Sequence, residues 1–372
     1  MTSAILIVMV LWLAYGNGAN DNFKGVATLY GSGTATYRQA LTWATASTLA
    51  GSLLSILLAE RLLAVFSGKG LLPEALLGDP VTLAAIGGAA ALTIMLATLL
   101  GMPTSTTHAL TGALLGIAWV TSTGHVPWTP FLTLFAAPLL VSPLLAILIT
   151  VIAYPALRWI RLRAGITNDS CACVDDTQVE VCSPGAGTVT ARSAVSAMRL
   201  GTVQECGSGD DGAITGIHAQ SVVDTLHYLS AGAVCFSRAV NDTPKIAALL
   251  LVLGHFDRYI ALGSVAAAMA LGGLLQSRRI AETMGRRITD LNPGQGLCAN
   301  LVTALLVIFA SRLGVPVSTT HVSCGAIFGI GMVEKNARCK TIAAVFATWL
   351  TTLPLAALVG AMLYCLLNGS NA

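Results

Sequence analysis

Charge is scarce in this chain. Asp, Glu, Lys and Arg together make up 10% of its 372 residues, and none of them occurs between residues 81 and 157. An uncharged run that long exceeds several-fold the roughly 20 apolar residues that cross a bilayer once, so it must hold several spans. With 55% hydrophobic residues, the chain does not fit the composition of a soluble domain of this size. The net charge of +3 is too small to argue for nucleic acid as a partner. No Gly-x-Ser-x-Gly elbow and no metal-binding histidine pair is present, which argues against a membrane-embedded enzyme and leaves no catalytic residues, metal or cofactor to assign. The first segment lacks a basic leader and an Ala-x-Ala cleavage site, so it is expected to be the first helix. The expectation is an all-α polytopic protein, multi-pass in the cell's inner (plasma) membrane, with the lipid bilayer as its surroundings.

Apolar stretches run over residues 2–15, 39–59, 81–100, 104–120, 131–157, 216–236, 246–253, 259–276, 297–311, 317–332 and 341–368. The shorter ones cannot span as straight helices, which predicts broken helices and helical hairpins. Residues 158–215 are rich in Gly, Ser, Thr and Asp and carry Cys171, Cys173, Cys182 and Cys206. Cys-x-Cys with irregular later spacing matches zinc patterns poorly, so this segment reads as a flexible inter-repeat loop with incidental thiols.

Either side of that loop the sequence repeats itself. Asn20-Asp21-x-x-Lys24 is matched by Asn241-Asp242-x-x-Lys245. GMPTSTTH at 101–108, followed by Gly112 and Gly116, is matched without a gap by GVPVSTTH at 314–321, followed by Gly325 and Gly329. The first repeat is therefore 1–157 and the second 216–372. Loop 60–80 carries Arg61 and Lys69 against three acids, whereas its counterpart 277–296 carries Arg278, Arg279, Arg286 and Arg287 against Glu282 and Asp290. Loop 121–130 has no Lys or Arg, but 333–340 has Lys335, Arg338 and Lys340. Basic loops face inward, so the two repeats are expected to run in opposite directions, with both chain ends outside and the central loop cytoplasmic.

Each motif has its own chemistry. Gly16, Gly18 and Gly25 loosen the helix around Asp21 and Lys24, which share a helical face at i,i+3 spacing. Pro244 lacks a donor and disfavours helical geometry at Thr243, so the second copy is expected to be broken as well. Ionisable groups at membrane depth are expensive and mark function, although each Asp and Lys could also pair simply as a structural bridge. Ser105, Thr106 and Thr107, with Ser318, Thr319 and Thr320, follow a proline in the order expected at a helix start. There they can cap the helix or offer donors to an oxyanion. His108 and His321 fit a titrating role and a packing role equally well.

Together GANDNFKGVATLYGSG, VNDTPKIAA and the paired P-x-S-T-T-H segments resemble the inorganic phosphate transporter (PiT) family of secondary permeases, which includes sulfate-carrying members. The resemblance covers both halves and excludes only the central loop. It implies two inverted-topology repeats with broken helices and helical hairpins, a homodimer, and one tetrahedral oxyanion bound near the midplane with coupled protons or sodium ions. The family's substrate-binding positions fall on Asn20, Asp21, Asn241, Asp242, Ser105, Thr106, Thr107, Ser318, Thr319 and Thr320, with Asp21 and Asp242 also ion-coupling. Sodium-coupled members carry Asn where this chain has Lys24 and Lys245. Two ammonium groups can neutralise two carboxylates before any ion arrives, so proton coupling, or lysines acting as tethered cations for phosphate or sulfate, replaces the usual expectation. An anion channel or uniporter would share the polar midplane, but glycine-broken inverted repeats favour alternating access.

Overall fold

Helix after helix follows from the scarcity of charge, since a backbone in hydrocarbon must satisfy its own hydrogen bonds. The computed structural model describes residues 2–58, 60–66, 71–122, 124, 126–167, 169–179, 193–202, 217–254 and 256–369. Lys69, Cys182 and Cys206 lie outside them. The first half runs through α1 (Thr2–Asp21), α2 (Ala27–Gly31), α3 (Tyr37–Leu58), α4 (Glu60–Val65), α5 (Pro80–Leu99) and α6 (Thr106–Thr121). It ends in α7 (Trp128–Phe131), a π-helical turn and α8 (Ala137–Arg163). The second half has α9 (Ala219–Leu251), α10 (Arg258–Gln276), α11 (Arg278–Glu282), α12 (Pro293–Leu313), α13 (Thr319–Glu334) and α14 (Cys339–Gly369). Among the described residues, six helices are long and apolar enough to cross a membrane, α7 and α8 counting as one. The chain is a multi-pass membrane protein.

Two compact units emerge, one made of residues 1–154 and 227–372, the other of 155–226. The smaller unit differs from the loop expected there. It holds a three-stranded sheet in the order β2-β1-β3, with β1 (Ser170–Val179) antiparallel to both β2 (Ser193–Thr202) and β3 (Ile217–His218). Cys171, on β1, is buried.

In the larger unit, α1 breaks after Asp21 and resumes at α2, as the glycines around it predict. The second copy does not break: α9 continues for 33 residues with Pro244 inside it. This corrects the expectation drawn from Pro244. A proline forfeits one backbone bond, and membrane helices absorb that loss when their neighbours pack closely. Thr243, next to it, is fully buried and donates to Ser52 Oγ at 2.8 Å. Residues 219–236 and 246–251 of the two expected segments are therefore parts of one helix.

The glycines set how closely the helices approach. A Cβ on Gly18 would lie 1.8 Å from Met269 O, and one on Gly272 would lie 1.9 Å from Tyr15 O, so α1 and α10 touch backbone to backbone. Gly112 and Gly116, after the first STTH, do the same for α6 against α14, with Leu353 O and Ala357 O at 2.3 and 1.9 Å. Such contacts are how helices associate in a solvent as apolar as their side chains.

Candidate functional site

After Asp21 the chain turns rather than continuing as helix, with Lys24 N bonded to Asp21 O at 3.1 Å. The turn folds the Lys24 ammonium back onto its own aspartate. Lys24 Nζ donates to Asp21 Oδ1, to Thr104 O and to Thr320 Oγ1. On α9 the same spacing acts within a continuous helix. There Lys245 Nζ lies 3.4 Å from Asp242 Oδ1 and donates to Thr107 Oγ1 at 2.8 Å and to Val317 O at 3.2 Å. Each ammonium thus has an acceptor for each of its three donors. None of these four residues is more than 2% exposed, so both pairs sit in a medium where an unmatched charge would be costly.

The contacts are reciprocal. Lys24, in the first half, reaches Thr320 in the second, while Lys245 reaches Thr107 in the first. Thr320 Oγ1 donates to Thr104 O, and Thr107 Oγ1 donates to Val317 O at 3.1 Å. Asn20 Nδ2 donates to Thr98 Oγ1 at 2.9 Å, and Asn241 Oδ1 accepts from Ser311 Oγ at 3.3 Å. Asn20 also receives Thr104 N at 3.0 Å, and Asn241 Nδ2 reaches Val317 O at 3.3 Å. The repeated sequence has become a repeated set of bonds around one cluster.

The helix starts behave as their residues require. Ser105 and Ser318 are the N-caps of α6 and α13, accepting from His108 N at 3.1 Å and His321 N at 3.2 Å. Thr106 Oγ1 bonds Asp21 Oδ2 at 3.3 Å, and Thr319 is buried in the matching turn. At 16 residues each, α6 and α13 are about 24 Å long by the rise of a helix, too short to cross alone. His108 and His321 meet with ring centroids 4.5 Å apart, and His321 stacks on Trp349 at 3.9 Å.

Comparing the repeats does not find every residue of the cluster. Asn17 Nδ2 lies within reach of Asp21 Oδ2, Thr106 Oγ1 and Asp242 Oδ2, at 3.1, 2.8 and 3.2 Å, and so joins both aspartates. Arg238 donates to Asn17 Oδ1 at 3.0 Å and to Thr48 Oγ1 at 2.8 Å. Both stand four residues before an aspartate, but they differ in type, so a search for identical residues passes over them. Thr48, Thr98 and Ser311 belong to no motif. Thr98 and Ser311 nevertheless stand three residues before Gly101 and Gly314, one hydroxyl residue at the same place in each repeat.

The surface carries two open clefts, one of which reaches a residue of the cluster. One of about 360 Å³ is lined by Thr98, the partner of Asn20, with Leu99, Leu275, Gln276, Arg278, Arg279 and Glu282. The other, about 520 Å³, is lined by Leu57, Leu58, Arg61, Phe309, Arg312 and Leu313 and borders Ser311 in sequence. Arginines line both.

A family model described as the phosphate transporter family matches residues 17–360, which takes in both Asp–Lys pairs and both helix starts. The chain belongs to the phosphate transporter family. A probable low-affinity inorganic phosphate transporter of Rhizobium meliloti (strain 1021) is 29% identical, over 96% of this chain and 94% of its own. A putative phosphate permease of Haemophilus influenzae is 24% identical, over 98% and 96% of the two chains. The chloroplastic inorganic phosphate transporter 2-1 of Arabidopsis thaliana is 26% identical, over 96% of this chain and 70% of its own length. The solved structure titled "The sodium-dependent phosphate transporter" superposes with a TM-score of 0.75, covering 99% of each chain at 20% identity, and so shares the fold. Members of the phosphate transporter family carry solutes rather than transform them, and this chain is accordingly a transporter and not an enzyme.

Proposed function

We propose that this protein is a secondary active transporter that moves inorganic phosphate across the membrane by alternating access, with Lys24 and Lys245 in the place of coupling sodium ions. The observation that carries the reading is the pair of saturated Asp–Lys contacts latched reciprocally across the two helix starts. Each carboxylate already has its cation, so a sodium ion has no charge left to neutralise there, and the proton gradient drives uptake instead. Helix starts bearing Ser105, Thr106 and Thr107, and Ser318, Thr319 and Thr320, supply hydroxyl and backbone donors suited to a tetrahedral oxyanion. The near-complete burial of the cluster fits a conformation closed to both sides. The contrasting loop charges support two inverted-topology repeats, with residues 158–215 cytoplasmic and both ends outside. Family resemblance supports a homodimer in the inner (plasma) membrane.

Uptake of labelled phosphate by purified protein in liposomes, with sodium and pH gradients imposed separately, tests this. Accumulation driven by a pH gradient in sodium-free buffer is the expected result. Labelled sulfate taken up in preference to phosphate would reassign the substrate. A steep sodium requirement in the wild type that survives in a Lys24→Asn, Lys245→Asn double variant would remove the lysines from the cation role.

A further inference from the structure

The residues around the two aspartates correspond pairwise, Lys24 with Lys245, Thr107 with Thr320 and Asn20 with Asn241, until the position four residues before each. There the first half has Asn17 and the second has Arg238. Arg238 is 1% exposed. Its two Nη atoms bond Asn17 and Thr48, and Nη1 stands 3.9 Å from Asp242 Oδ2. Its Nε has no hydrogen-bond partner. A spare donor on a buried cation is costly, and neither lysine can satisfy it, because an ammonium carries no acceptor.

Charge counting points the same way. Histidines and cysteines aside, the fully buried ionisable side chains among the described residues are Asp21 and Asp242 against Lys24, Lys245 and Arg238. One positive charge is in excess, and it lies beside Asp242, which Lys245 already pairs. A net charge in a low-dielectric interior is stable only when a counter-ion joins it.

We propose that Arg238 is the anion-holding residue of this site. Its free Nε–H and surplus charge take one oxygen of a tetrahedral oxyanion, so the anion enters with no metal cation beside it. Asn17 orients the guanidinium through Oδ1 while its amide nitrogen holds Thr106 and both aspartates. The assignment rests on the reading of the site as an oxyanion transporter's.

The test is labelled-phosphate uptake by the full chain in liposomes, with N-methylglucamine replacing sodium, for wild type, R238N and R238K. R238N is expected to raise the KM for phosphate about tenfold or more with a much smaller change in kcat, the size of one lost charge-assisted bond. R238K keeps the charge and recovers most of the affinity. Direct binding of labelled phosphate to monodisperse, detergent-solubilised R238N separates lost binding from lost fold. N17D, which sets a carboxylate against the guanidinium and cancels the surplus charge with Arg238 itself in place, is expected to raise KM similarly and serves if R238N does not fold. An unchanged KM in R238N or N17D, or an R238K as weak as R238N, overturns the assignment alone. A wild type that takes up neither labelled phosphate nor labelled sulfate, with sodium or without it, defeats the transporter reading, and the assignment with it.

Discussion

Lys245 donates to Thr107 Oγ1 at 2.8 Å, from a helix of the second half to a helix start of the first. With its counterpart between Lys24 and Thr320, this bond holds the two halves in register around the site. Thr107→Val keeps the volume and removes the acceptor. A hydrogen bond to a charged group is worth about 1.5–3 kcal/mol, so the variant is expected to melt earlier in detergent and to transport phosphate with a raised KM. Thr320→Val should behave alike. Unchanged melting in both would mean that the halves are not latched there.

The ion pairs make a sharper prediction. Lys24→Met leaves Asp21 buried without its nearest cation, a change that costs about 3–5 kcal/mol in other buried pairs. Thermal unfolding in detergent should show that loss, and adding Asp21→Asn should recover most of it by removing the stranded charge. Equal melting of the single and double variants would show that Asp21 does not depend on Lys24.

Two glycines two residues apart should respond very differently to the same methyl group. On Gly18 it would meet Met269 O at 1.8 Å, so Gly18→Ala must push α1 away from α10. On Gly16 the nearest atom is Ile94 Cγ2 at 3.6 Å, an ordinary contact. Gly16→Ala is expected to purify as folded protein with phosphate uptake close to wild type, and Gly18→Ala to lose both. Yield by size-exclusion chromatography, followed by uptake, decides it.

Much of this arrangement was legible because it is stated twice. Asp21 with Asp242, Lys24 with Lys245 and the two STTH segments appear in the sequence as repeats and in the fold as reciprocal bonds. Asn17 and Arg238 were not legible, since repetition reveals only what the two halves share, and the site's excess charge comes from where they differ. The continuity of α9 through Pro244 was hidden for another reason: local propensity favours a break, while packing against buried neighbours such as Ser52 holds the helix together. The strands β1 and β2 lie in a segment whose polar composition carries no sustained apolar period.

The serines that open α6 and α13 have two uses that separate experimentally. Each accepts a backbone N–H with its Oγ, from His108 and His321, and so keeps its own O–H free to donate. Ser105→Ala removes the acceptor and the donor together. Loss of the cap should cost about 1 kcal/mol of stability, read as an earlier melt. Loss of the donor should raise the KM for phosphate, because an oxyanion at this helix start would be short of one hydrogen bond. Ser105→Thr preserves the hydroxyl and is expected to keep both properties. An alanine variant that melts early but transports with an unchanged KM would show that the serine caps its helix and does not touch the anion. The same comparison at Ser318 tells whether the two helix starts share that role.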